Sequence, residues 1–341
     1  MNTESKFHGE AWLKSLISGT RRAVLPVLTG PGIPLIGAPP MEVFRSGELQ
    51  FQAIMALKEA LDAESLKMEA ALTMMDLSVE AEAFGANILF SEAENPTVVG
   101  PAVVQDEADV ERLAVPEVGT ARTKQCLLAA KLCASEITDR PTLGGMIGPF
   151  SLAGRLLEMS NLMLQTAMAP EMVHALLEKV TQFLVGYAKG FKEAGCNGIL
   201  MAEPAAGLIS PAMCQEFSSD YVRRVVDAVK DEHFVFVLHN CGKTEKMVGQ
   251  MRSTDADALH VGNAVDICAI LRQVPEDFPV MGNIDPAGVL RMETPENVFA
   301  ATKALLERTR EFPNHVLSSG CDMPLDTPME NVKMFFRAGL E

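Results

Sequence analysis

One pattern governs this chain: a short, almost purely apolar run, a longer stretch with apolar residues at helical spacing, then another apolar run. The runs are "VLPVLT" (24–29), "ALTMMD" (71–76), "PTLGGMI" (141–147), "GILMAE" (198–203), "FVFVLH" (234–239), "ALHV" (258–261), "VMGN" (280–283) and "HVLSS" (315–319). Strands that are apolar throughout are buried on both faces, which requires a parallel sheet covered by helices on its outside. Eight of them in 341 residues fit a closed (β/α)8 barrel with an N-terminal helical extension. The expected organisation is one barrel domain over 1–341, with 1–23 as the extension. An open doubly wound sheet would show a glycine fingerprint after an early strand, and no GxGxxG or GxxxxGK[ST] occurs. Residues 77–140 are expected to hold helices and a loop.

Composition narrows the function. A formal net charge of −16 argues against nucleic-acid binding, which needs clustered Lys and Arg to neutralise phosphates. No apolar run approaches the roughly 20 residues of a membrane span, and the N-terminus lacks the charged-then-apolar order of a signal peptide. A cytoplasmic location is expected. The seven cysteines show no secreted disulfide framework, so they read as core filler or ligands in a reducing compartment.

Barrel chemistry gathers at the C-terminal strand ends. There this sequence carries Asp76, Glu203, His239 with Cys241, His260, Asn283 and the "SSGCDMP" turn bearing Cys321. Side chains two apart on an extended segment share a face, so His239 and Cys241 both point inward. With Cys321 they make one nitrogen and two sulfurs, the ligand count of a catalytic zinc with one open position. Two thiolates already cancel the charge of a dication. A substrate thiol entering the fourth position would lose its proton yet stay electron-rich, which suits thiol alkylation better than hydrolysis.

The stretches "MDLSVEAEAFGANI", "GGMIGPFSLAGRLL", "AGCNGILMAEPAAGLISP", "VLHNCGK", "MGNIDP" and "SSGCDMPLDTPMENVKMFF", in that order, resemble the uroporphyrinogen decarboxylase superfamily. Within it they resemble the methylcobamide:coenzyme M methyltransferases. That resemblance implies zinc held by His239, Cys241 and Cys321. It also implies methylcobalamin presented by a separate corrinoid protein, and a small thiol as acceptor, coenzyme M being the family expectation. A homodimer is left open. No fused corrinoid module is expected, because the Asp231-x-His233 pair lacks the glycine that completes DxHxxG.

Two departures stand out. Gly262 and Asn263 occupy the stretch where the branch often has a glutamate near the metal, leaving His260 as a substitute ligand or a buried structural histidine. "MGNIDP" is closer to the decarboxylase form of its loop. Asp76 and Glu203 are the candidate catalytic carboxylates, although either could serve only to orient a loop. Gly282 and Asn283 are the candidate cofactor-binding residues at the mouth. Asp322 and Asp326 are turn-formers or partners of the ligands. The alternatives to the methyltransferase are a decarboxylase-like tetrapyrrole enzyme and a non-catalytic corrinoid- or tetrapyrrole-binding barrel. The decarboxylase relies on N-terminal arginines, but the first apolar run has none, and Arg21 and Arg22 precede it.

Overall fold

The computed structural model describes residues 7–19 and 21–341. Nine strands are present among the described residues: β1 (Ala71–Leu72), β2 (Asn87–Leu89), β3 (Thr97–Val99), β4 (Thr142–Ile147), β5 (Gly198–Ala202), β6 (Val235–Asn240), β7 (Ala258–Val261), β8 (Val280–Ile284) and β9 (His315–Ser319). Seven form one sheet in the order β1-β4-β5-β6-β7-β8-β9, every pair parallel. The expected first strand (24–29) contributes only the parallel bridge Val24↔Leu317. Leu25 N–H donates to the Leu317 carbonyl at 2.9 Å, and Glu69 N–H reaches back to the Val24 carbonyl at 3.3 Å. Val24 therefore lies between the last strand and the first, which curls the sheet into the expected (β/α)8-type barrel.

The first strand is short for a chemical reason. Pro26 has no N–H to donate, and the Val27 N–H bonds the Ser319 hydroxyl at 3.1 Å instead of a backbone carbonyl. The second expected strand shrinks in the same way. Thr73 Oγ1 takes the Gly145 N–H at 2.8 Å, so a side chain replaces the next ladder bond.

Helices cover the outer face. The longest, Pro170–Glu193, begins with proline, whose missing N–H costs nothing there. It buries Val173, Leu176, Leu177, Val180, Leu184 and Phe191 along one stripe, at helical spacing. It closes at Gly195, as the sequence suggests, with φ +97°. A Cβ on Gly144 of β4 would sit 2.5 Å from the Phe191 ring, so glycine there sets the close helix-to-sheet approach.

The barrel interior is layered by the two-residue period of its strands. Its buried apolar layer holds Leu143, Leu200, Val235, Val237, Ala258, Met281 and Val316. Leu16 of helix Gly9–Ser18 belongs to this layer, with Trp12 and Leu13 packed on it, so the N-terminal extension covers one end of the interior. One step further along the same inward columns, the residues become His239, His260, Asn283 and Ser318. The core thus turns polar at the C-terminal strand ends.

Residues 77–140 hold helices and a loop as expected, but also the antiparallel hairpin of β2 and β3. No described helix is long and apolar enough to cross a membrane.

Candidate metal centre

His239 Nε2 or Nδ1, Cys241 Sγ and Cys321 Sγ lie within 4.8 Å of one another. Tetrahedral ligands at about 2.0–2.3 Å from an ion stand roughly 3.5–3.8 Å apart, so small side-chain adjustments bring the three onto one centre. They arrive from two distant parts of the chain. His239 ends the inward column of β6, Cys241 follows two residues later, and Cys321 sits just past β9.

The loop that carries Cys241 is fixed from both sides. Asn240 Nδ2 donates to the Glu203 carbonyl at 2.6 Å, and the Gly242 N–H donates to Asn240 Oδ1 at 2.8 Å. On the far side Gly262 presses against it: a Cβ there would stand 2.5 Å from Cys241 Cα and 2.6 Å from its carbonyl oxygen. No side chain fits at 262, which is why an acid is absent from that position.

The imidazole of His239 is aimed by its neighbour. His239 Nδ1 and His260 Nδ1 are 2.7 Å apart, and His260 Nε2 is 2.8 Å from Ser318 Oγ. Among the described residues, His239 Nε2 is buried and without a hydrogen-bond partner. An unpartnered buried nitrogen is costly, and a metal ion would satisfy it. The tautomers then follow: His239 donates Nδ1–H to His260 Nδ1, and His260 donates Nε2–H to Ser318. Burial and the adjacent His239 hold the His260 pKa well below the usual histidine range, so it stays neutral as this chain requires. Both ring nitrogens of His260 are engaged, so it does not join the ligand set.

Cys241 and Cys321 lie side by side, and this contact holds the Cys241 thiol below the ordinary thiol range, while the same contact and burial push Cys321 up.

A cavity of about 230 Å3 opens directly on His239, Cys241 and Cys321, walled by Val27, Met75, Leu77 and Ala202. A second, of about 520 Å3, meets the first at Cys241 and Arg155 and runs past Val98 of the hairpin.

The other candidates have different surroundings. Asp76 does not line either cavity; its neighbours Met75 and Leu77 do. It turns to the opposite face, where it pairs with Arg122 and accepts from Ser78 N–H at 2.9 Å and Ser78 Oγ at 2.6 Å. Arg122 also holds Glu82 at 2.5 Å. Glu203 is likewise outside the cavities. It caps helix Pro149–Leu157, accepting the N–H groups of Phe150 at 2.9 Å and Ser151 at 2.6 Å and the Ser151 hydroxyl. Burial pushes its pKa up to about 7 against those donors. Asn283 Nδ2 ties β8 to the loop after β7 through the carbonyls of Gly262 (2.9 Å) and Val265 (3.0 Å). The Gly282 carbonyl faces His315 Nε2 at 2.8 Å. Asp322 accepts from Thr29, and Asp326 pairs with Arg291.

Sequence reasoning passed over Arg155, Arg122 and buried Glu80. Arg155 stands in "GPFSLAGRLL", eight residues after the end of β4, and that position was its only signal.

A family model described as uroporphyrinogen decarboxylase (URO-D) matches residues 45–340. The chain belongs to the uroporphyrinogen decarboxylase family. It is 32% identical over 271 residues to the methylcobamide:CoM methyltransferase MtbA of Methanosarcina acetivorans, spanning 78% of this chain and 77% of that protein. Identity to the uroporphyrinogen decarboxylase of a Synechococcus species is 27% over 283 residues, 81% of this chain and 79% of that one. Among solved structures, a methyltransferase from Methanosarcina mazei superposes with a TM-score of 0.85 at 25% identity, covering 98% of each chain. The expected resemblance to the methyltransferase branch is borne out by these comparisons, as is the barrel.

Proposed function

We propose that this chain is a zinc-dependent methyltransferase that moves a methyl group from a methylated corrinoid protein to a small thiol. The observation that carries the proposal is the convergence of His239, whose Nε2 is buried and without a hydrogen-bond partner among the described residues, with the sulfurs of Cys241 and Cys321 beside the cavity. A bound zinc ion would supply the Lewis acidity that takes the proton from an acceptor thiol and keeps its sulfur nucleophilic. The protein's own share is orientation and exclusion of water. His260 and Ser318 hold the His239 ring, Gly262 and Asn240 hold the Cys241 loop, and the apolar walls keep the sulfur dry. In the transfer the acceptor's sulfur forms the new bond to carbon. The methyl donor, a corrinoid in this reading, would keep the electron pair of the bond it loses, and the thiol proton would go to solvent. Among relatives, the protein named for methylcobamide and coenzyme M supports the same chemistry.

Asp76 and Glu203 belong in this reading as positioning carboxylates, and Gly282 and Asn283 as shapers of the loops at the mouth. The decarboxylase alternative has less support. A tetrapyrrole with several carboxylates asks for several cations, and Arg155 is the one basic side chain lining either cavity among the described residues.

The test is metal analysis of purified wild type, Cys241→Ala and Cys321→Ala, beside methylation of a thiol by methylcobalamin. About one zinc per chain is expected in the wild type, with large loss of zinc and turnover in both variants. A wild-type protein unable to bind zinc would overturn the reading.

A further inference from the structure

The opposite end of the barrel carries a cluster of cations that methyl transfer does not use. Arg21 and Arg22 precede the first barrel segment, while Lys303 and Arg310 lie on helix Pro295–Arg308 and the turn after it. All four line one cavity of about 310 Å3, walled otherwise by Leu306, Glu307, Gly339, Leu340 and Glu341. A second cavity of the same size shares Arg21, Arg22 and Arg310. Arg22 has a structural task. Its guanidinium donates to the carbonyls of Thr309 at 2.7 Å, Phe312 at 2.5 Å and His315 at 3.2 Å, closing the helix and the start of β9. No carboxylate faces this half-buried charge among the described residues, and burial pulls its pKa below the usual arginine range. Arg21 and half-buried Lys303 form no ion pair and no hydrogen bond among the described residues. Arg310 meets Glu307 at 3.3 Å, with both side chains exposed, and such pairs contribute little. Glu341 pairs with none of the four cations.

Complementing the carbonyl end of the helix does not account for the cluster. That field is confined to the last turn, where Arg22 already takes the carbonyls, and Lys303 lies before it. Like charges gathered round one cavity repel one another, and here they gather in a chain of net charge −16. Guanidinium forks match phosphate oxygens with paired bonds, and an ammonium adds a compact charge. Leu306 and Leu340 supply an apolar wall, and the volume stands at the small end of the roughly 300–1,000 Å3 of ligand sites. We propose that this cavity binds a phosphorylated small molecule, its phosphate held by Arg21, Lys303 and Arg310 and its organic part against Leu306 and Leu340. The site adjoins the place where Val24 meets the last strand: a Cβ on Gly339 would stand 2.6 Å from Val24 and 2.9 Å from Leu317. Arg22 grips the first residue of β9, and Cys321 follows the last. The phosphate site and the three donors thus occupy opposite ends of one strand, and the assignment is independent of the methyl-transfer reading.

Calorimetric titration of the full chain with inorganic phosphate and with phenyl phosphate, in phosphate-free buffer, tests this. The variants are Arg21→Gln, Lys303→Gln, Lys303→Arg and Arg308→Gln, the last removing an arginine that pairs with Asp266 outside the cavity. Wild type should bind phenyl phosphate, less tightly as salt is raised. Arg21→Gln and Lys303→Gln should each weaken binding by about 10–100-fold, as loss of hydrogen bonds to a charged group implies. Lys303→Arg should keep most of the affinity, and Arg308→Gln all of it. Because Arg21 and Lys303 bond to no described group, their variants should melt at the wild-type temperature, which separates lost binding from lost fold. Tighter binding of the ester than of inorganic phosphate supports a phosphorylated molecule; equal binding overturns that assignment in favour of the bare ion. No binding of either probe overturns the site altogether. So does the same weakening in Arg308→Gln as in Lys303→Gln, which would mean attraction to the whole surface rather than to this cavity.

Discussion

His260→Ala tests whether the histidine pair exists to aim a ligand. The imidazole it removes is fully buried, 2.7 Å from His239 Nδ1 and 2.8 Å from Ser318 Oγ. Without it His239 loses the contact that fixes both its ring angle and its tautomer. Loss of such an outer partner typically weakens metal affinity by about 10–100-fold, or roughly 1.4–2.7 kcal/mol. Metal bound to the folded state alone stabilises it by that binding energy. At about 2.1 cal/mol/K per residue, 341 residues unfold with roughly 0.7 kcal/mol/K of entropy. The rise in Tm on adding zinc should therefore be about 2–4 °C smaller in the variant. The substitution also opens a cavity and lowers Tm directly, so the quantity to compare is the difference between zinc-loaded and chelator-treated protein, measured for each variant. Competition against a chromophoric chelator gives the affinity independently. An unchanged zinc-dependent Tm rise with unchanged chelator competition would refute the reasoning, however unstable the variant proved.

Two further outcomes concern carboxylates away from the ligands. Asp76→Asn leaves Arg122 buried with Glu82 as its remaining carboxylate, and a broken buried ion pair costs about 3–5 kcal/mol. Urea unfolding should show a loss near the lower end of that range, with zinc content retained. Burial raises the Glu80 pKa from 4.5 to about 7, outweighing the bond from Ile147 N–H, and its Oε2 has no partner. A folded-state pKa above the unfolded one gives stability that is full below pH about 4.5 and lost as pH rises through about 7. Glu80→Gln should flatten this slope and make the variant the more stable at pH 8, by an amount on the order of 3 kcal/mol. Equal pH slopes in the two proteins would rule that out.

The barrel was legible because its signal is repeated and chemical: runs such as "FVFVLH" have no polar face to give to water. The clustering of the three donors was legible because His239 and Cys241 stand two residues apart at the end of β6, and because Cys321 follows an apolar run. The hairpin escaped because Asn87–Leu89 and Thr97–Val99 are too short, at three residues each, for any periodicity to emerge. The inward role expected of Asp76 failed on parity: Met75 and Leu77 took the cavity side, and Arg122, forty-six residues away, took the carboxylate. Glu203 looked like an acid at a mouth. Its pairing with the start of a helix depends on how β5 and helix Pro149–Leu157 pack, which spacing along the chain does not encode. Arg155 was visible only as a letter in a motif, since its place on the cavity wall is a property of space.

The barrel is joined at its thinnest point by Val24 and Leu317, and the polypeptide leaving that junction is the one that bears Cys321. Met323 N–H is fastened to the Val27 carbonyl at 3.1 Å, and Asp322 to Thr29, so the rim beside this cysteine is stitched to the opening segment of the barrel. Breathing of the ring at this seam therefore acts on the rim segment that carries Cys321, while His239 and Cys241 stay with β6 inside the continuous sheet. Amide hydrogens around Val24 and Leu317 become a gauge of how firmly that segment is held.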